Sequence, residues 1–186
     1  MSLIPDFELG VWNAWIFIIP YIVYWFVGIR FLFSKRMPES PSLKRKKIEI
    51  LSNILVVIML VSFIYSIFVP FKLGTIWFYI GLLVYLIGMI LVTLSMINFA
   101  ATPLDKPVTK GIYRYSRNPM FIGFFVVYFG ISIVCISWVY LVMTIFFILS
   151  MYYLSPFEEA ITLGHYGKAY KEYMERTPKW IGIPKK

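Results

Sequence analysis

Charge and sulfur are scarce in this sequence. Only 15% of its 186 residues are Asp, Glu, Lys or Arg, where soluble domains carry about 25%. Apolar residues reach 60%, above the usual range of about 45 to 50%. A soluble globular enzyme does not fit that balance, and the apolar content excludes a disordered chain. The single cysteine, Cys135, rules out an internal disulfide framework and a thiol metal cluster within the chain. No basic segment precedes the first apolar run, so a cleaved signal peptide is not expected. No apolar run holds Asp, Glu or Lys near its middle, which argues against proton relay or ion transport. Acidic residues are scarcer than basic ones, nine against 18, and the net charge is +9.

What is present is a set of long apolar stretches: Trp12 to Phe33, Ile48 to Val69, Ile76 to Asn98, and Met120 to Leu154. Each of the first three is long enough to cross a hydrocarbon core of about 30 Å at about 1.5 Å per residue. The fourth would reach about 52 Å as one helix. It is read as a tight hairpin of two helices turning near Cys135 to Trp138. The expected fold is thus an all-α integral membrane protein with five transmembrane helices, the last two a hairpin, followed by a cytoplasmic C-terminal helical segment. Residues 1–98 form a three-helix transmembrane region in this reading, and residues 99–186 carry the chemistry. Pro20, Gly81 and Gly88 mark a kink and a close helix crossing. Asn53 and Asn98 are read as hydrogen-bonders between helices.

Of the 18 basic residues, 16 fall in three places, Ser34 to Lys47, the segment from Lys106 to Arg117, and the tail from Lys168; Arg30 lies at the end of the first apolar stretch and Lys72 sits alone in the opposite loop. The positive-inside rule puts the three places on the cytoplasmic side and the N-terminus outside. The cluster Lys44 to Lys47 is a topology signal with lipid-headgroup contact. It lacks the interleaved aromatics of a single-stranded nucleic-acid platform, so the expected partners are membrane lipids and no nucleic acid.

Polar chemistry collects in the loop Ala101 to Pro119 and the tail Ser155 to Lys186, which the hairpin returns to one face. In the loop, Pro107, Gly111 and Pro119 disfavour a continuous helix and leave backbone groups for a ligand. Pro119 suits the first position of the next helix, with its N–H groups facing the loop. Ser155 reads as a helix cap with Glu158 and Glu159 in the first turn. Tyr166, Tyr170 and Tyr173 follow as one face of that same helix.

Several motifs in order carry a resemblance. They are Val108-Thr109-x-Gly111-x-Tyr113, then Arg117-Asn118-Pro119-Met120-Phe121-x-Gly123, and after the hairpin Glu158-Glu159 with Tyr166-Gly167, Tyr170, Tyr173, Arg176 and Pro178. Together, over about residues 105 to 184, they resemble the isoprenylcysteine carboxyl methyltransferase family, related to phospholipid methyltransferases. The resemblance implies a membrane-embedded methyltransferase that uses S-adenosylmethionine on a lipophilic acceptor drawn from the bilayer. By position it implies Asp105, Lys106, Pro107 and Val108 as a backbone cradle for the cofactor. Tyr113 would be a side-chain contact, and Asn118, Pro119, Met120 and Phe121 a second run. Glu159, with Glu158 beside it, takes the catalytic place, and Ser155 and Arg176 fall at substrate-binding positions.

The chain departs from the usual family pattern at Asn118, Phe121, Thr162 and Ser155, where His, Tyr, Leu and Arg are common. Asn cannot titrate near neutral pH, so position 118 is not expected to shuttle a proton. Without an Arg at 155, the cations left for an acceptor carboxylate are Arg114, Arg117 and Arg176. A carboxylate acceptor needs no base, whereas an amine must first be deprotonated. Methylation of a prenylcysteine-like carboxylate is the leading expectation, with a phospholipid amine or lipophilic thiol as the alternative. A non-enzymatic membrane scaffold or ligand-binding protein is the reading from another class.

Overall fold

The computed structural model describes residues 7–27 and 42–185. Helices α1 (Trp15–Val27), α2 (Ser42–Phe68), α3 (Ile76–Ala101), α4 (Pro119–Val134), α5 (Trp138–Tyr166) and α6 (Lys168–Arg176) make up the described chain, with a 3-10 turn at Gly111–Arg114 between α3 and α4. Residues 28–33 of the first apolar stretch, and Lys35 and Arg36 of the basic segment, lie outside the described residues. Lys44 to Lys47 belong to the first turns of α2 and not to a loop.

Among the described residues, three helical segments are long and apolar enough to cross a bilayer: Ile48–Phe68, α3 and α5. The protein is therefore an integral membrane protein. α4 and the described part of α1 are shorter apolar helices. The stretch from Met120 to Leu154 does divide, because Cys135, Ile136 and Ser137 turn the chain between α4 and α5. Ile136 adopts a positive φ of 49°. Ser137 accepts from the N–H of Tyr140 and so caps α5. Cys135 is buried in the turn.

α3 and α4 form the tightest pair, and glycine is the cause. Gly81 and Gly88 are seven residues apart on α3, as are Gly123 and Gly130 on α4, so each pair lies on one face. A Cβ on Gly81 would lie 2.5 Å from the Val134 nitrogen, and one on Gly130 would lie 2.5 Å from the Tyr85 nitrogen. Backbone thus meets backbone, which small residues permit in a membrane where lipid competes equally well for apolar side chains. Around this seam, Val92, Val127, Tyr128, Ile131 and Val134 are completely buried. Tyrosine hydroxyls tie the other helices in: Tyr85 of α3 donates to Phe17 O of α1 at 3.0 Å, and Tyr140 of α5 donates to Ser62 O of α2 at 3.0 Å. Asn98 departs from expectation. Its amide donates to Leu94 O in its own helix at 2.6 Å, and its side chain packs against Gly111.

The tail also differs from the sequence reading. No helix begins at Ser155, because α5 runs unbroken through Ser155 and Pro156 to Tyr166. Pro156 has no N–H for the carbonyl four residues earlier, that of Tyr152. The Ser155 hydroxyl donates to that carbonyl instead, at 3.3 Å. The buried Ser155 is therefore a helix repair, which is why Pro156 does not end α5. Gly167, at φ 54°, makes the break that separates α5 from α6. Tyr166 is consequently on one helix, and Tyr170 and Tyr173 are on the next.

Candidate active site

The continuation of α5 past Leu154 carries Glu158 and Glu159 beyond its apolar span and over the start of α4. Between them opens a cavity with about 1020 Å³ of empty space, counting its open mouth. α4 gives it Pro119, Met120 and Phe121, the preceding loop gives Val108, Tyr113, Arg117 and Asn118, and α6 gives Tyr170 and Tyr173. α5 contributes Glu158, Ile161, Thr162 and His165 at spacings of three and four, one helical face turned inward.

The charged centre is Arg117 with Glu159. Their nearest atoms, Arg117 Nη1 and Glu159 Oε1, are 3.5 Å apart, and each side chain is only 12% exposed. Both of these atoms and Arg117 Nε are buried without a hydrogen-bond partner. Buried polar groups in that state are costly unless a ligand or water completes them. Burial, and secondarily the neighbouring Glu159, pushes the Glu158 carboxyl up to about 7. Burial also raises Tyr170, with Glu159 adding to it, so both tyrosines of α6 stay neutral. Among the described residues, Arg117 is the sole Lys or Arg side chain on the cavity wall.

Hydrogen bonds hold the loop to the tail. Tyr173 OH donates to Tyr113 O at 2.7 Å, and Tyr166 OH donates to Leu104 O at 3.1 Å. The segment after α6 crosses the loop as a strap: Arg117 N–H donates to Pro178 O at 3.0 Å, and Gly182 N–H to Tyr115 O at 3.0 Å. Asn118 precedes α4 without capping it. Its amide donates instead to Lys179 O, at 3.0 Å. Pro119, at the first position of α4, has no N–H to leave unpaired.

The sequence model of the phospholipid methyltransferase family matches residues 76–169, just over half of the chain. The chain belongs to this family. It is a membrane methyltransferase family of the isoprenylcysteine carboxyl methyltransferase-like group, and the motif resemblance drawn above points to the same group. No curated protein matches the chain significantly.

In this phospholipid methyltransferase family member, eight of the expected site residues share the cavity: Val108, Tyr113, Asn118, Pro119, Met120, Phe121, Glu158 and Glu159. Asp105, Lys106 and Pro107 precede Val108 in the chain and are not on the wall. Ser155 is completely buried within α5, and Arg176 is exposed at the end of α6. Sequence reasoning did not single out Phe99, Ile161 or His165 for the site. The spacing of Ile161 and His165 from Glu158 was readable, but a helix start at Ser155 hid which face turns inward.

Proposed function

We propose that the protein is an S-adenosylmethionine-dependent methyltransferase whose acceptor is an amine at the head of a bilayer lipid. The cavity's charge carries the choice of acceptor. Arg117 is matched by Glu159, and Glu158 adds a second carboxylate. A cationic head complements that balance and a carboxylate opposes it.

The residues fit a sulfonium nucleoside. Phe99, Tyr113, Tyr166, Tyr170 and Tyr173 surround the cavity, and aromatic faces and carboxylates both favour a sulfonium cation. Buried donors on Arg117 stand without partners, as a preformed polar site would have them. Val108 and the start of α4 would hold the cofactor from the loop side, with Asp105, Lys106 and Pro107 at the rim. When bound, S-adenosylmethionine supplies an electrophilic methyl group. The protein's part is to align the acceptor and shape the field around it. Glu158 would take the proton that the acceptor nitrogen must lose when it gains the methyl group. A carboxyl raised to about 7 is a better base near neutral pH than an ordinary one. Glu159 holds Arg117 in place and orients the acceptor. Five crossings, with the N-terminus outside and this cavity on the cytoplasmic side, fit a water-soluble donor meeting a lipid at the bundle mouth.

One observation favours a second reading. The unpartnered Nε and Nη1 of Arg117 are the donors that an acceptor carboxylate, such as that of a prenylcysteine, would use. Purified protein given radiolabelled cofactor with amine, carboxylate and thiol lipids decides between them. Transfer to the amine lipid alone is expected, and transfer only to the carboxylate lipid overturns the amine assignment. Calorimetry that detects no binding of S-adenosylmethionine or its demethylated product would favour a non-enzymatic scaffold.

A further inference from the structure

A second depression lies on the outer side of the α4 and α5 pair, separate from the cavity but sharing Phe121 with it. Phe125 of α4 and Phe147, Met151 and Tyr152 of α5 line it, and Trp180 of the strap closes its end. Counting its open side, it has about 540 Å³ of empty space. Trp180 stacks on Tyr152 with ring centres 6.3 Å apart and planes 16° apart. The Lys179 ammonium lies 5.8 Å from the Trp180 ring centre and 6.0 Å from that of Tyr152.

We propose that this groove holds an acyl chain of a glycerophospholipid, with the lipid phosphate at Lys179 and the headgroup directed past Phe121 toward the cavity. Only the last part rests on the methyltransferase reading. A chain in the groove exchanges contact with other lipid tails for contact with equally apolar side chains, so chain burial alone selects nothing. Selection must come from a polar anchor at the groove's end. Lys179 stands there, where the strap crosses the loop, because its carbonyl accepts from Asn118. The cation–π contacts are weak beside a charge-assisted bond between an ammonium and a phosphate. A phosphate can therefore share the ammonium without having to break a strong pair. The same anchor links groove to cavity, since Asn118 and Phe121 both line the latter. The arrangement is charge-complementary to a zwitterionic phospholipid: cation outside for the phosphate, carboxylates inside for the amine.

The test uses the full chain in phosphatidylcholine vesicles doped with phosphatidylethanolamine that bears a diazirine on one acyl chain. Diacylglycerol with the same chain serves as the phosphate-free comparison. After irradiation, labelled residues are mapped by mass spectrometry. Labelling by the phospholipid is expected to concentrate on Ile122 and Ile148, which face the groove. It should exceed that of the exposed Ile145 and Phe146 at least fivefold. Lys179→Met keeps the side-chain stem and should reduce phospholipid labelling to the diacylglycerol level, and Ile148→Trp should fill the groove and lower both. Even labelling around the bundle, or equal labelling by the two probes in the unaltered protein, overturns the proposal. The readout is independent of methyl transfer: groove labelling in a protein that binds no cofactor would overturn the enzyme reading alone. Loss of selective labelling with cofactor binding intact would overturn the groove alone.

Discussion

Glu158 and Glu159 are neighbours in sequence with different surroundings, and the proposed function gives them different roles on that ground. Glu159 has a guanidinium 3.5 Å away; Glu158 has burial and a neighbouring negative charge, which lift its carboxyl from 4.5 to about 7. Between those two pH values the folded protein holds a proton on Glu158 that the unfolded chain has released. The stabilisation this gives is complete below about pH 4.5 and is lost as pH rises through about 7. Glu158→Gln should therefore melt higher than the unaltered protein at pH 8 and lose that advantage near pH 4, as read by thermal unfolding in detergent. Its turnover of an amine acceptor should fall by about a hundredfold, the usual range for a lost proton acceptor. The unaltered protein's rate should climb through neutral pH. Glu159→Gln should abolish turnover while circular dichroism shows the helices retained, and near-normal turnover would refute its assigned role. At this scale the sequence disclosed the two acids and the aromatic residues, because their types and spacing are local. That Arg117 would face Glu159 depends on how the loop and α5 meet, which no local pattern encodes.

Helices are where the sequence was most and least readable. Length alone divided Met120 to Leu154, since a helix of that length overshoots the bilayer, and Gly81 and Gly88 marked the close crossing. The proline signal misled, because Pro156 usually marks a helix start and here sits inside α5. The repair by Ser155 can be checked. Ser155→Ala should cost about 1 kcal/mol by leaving the Tyr152 carbonyl unpaired. Adding Pro156→Ala should return most of it by restoring a backbone N–H, with unfolding midpoints as the measure. The glycines differ by environment in the same way. Gly88→Val would push a Cβ within 2.6 Å of the Val127 nitrogen and should cost about 3 kcal/mol or more. Gly164→Ala, with nothing within 4 Å of the new atom, should stabilise α5 by about 0.5 to 1 kcal/mol. Reversed effects on the unfolding midpoint would contradict the α3 and α4 seam.

Over the whole molecule, one end of the bundle bears the loop, the strap and the cavity, and the other bears a smaller closure in which Ala14 N–H donates to Val69 O at 2.9 Å. That the loop and the tail share an end was readable because the hairpin between them returns the chain to the same face. Cysteines placed at Lys185 and Leu73, in a chain with Cys135→Ala, test the orientation. A membrane-impermeant maleimide should label the first only after cells are opened and the second in intact cells; the opposite pattern would invert the topology. The strap itself was not readable, since its bonds run from backbone carbonyls and N–H groups that every residue possesses.

α4 gives this architecture a depth as well as a direction. Its 16 residues extend about 24 Å, some 6 Å less than a hydrocarbon core of about 30 Å, and its first turn is the cavity floor. A span this short is matched by local thinning of the bilayer beside it, one of the ways a membrane accommodates a short helix. Under the proposed function, a lipid acceptor arriving there would meet the site at its own level: its headgroup would sink into a dimple while its tails remained in hydrocarbon, with no need for the lipid to be lifted from the bilayer.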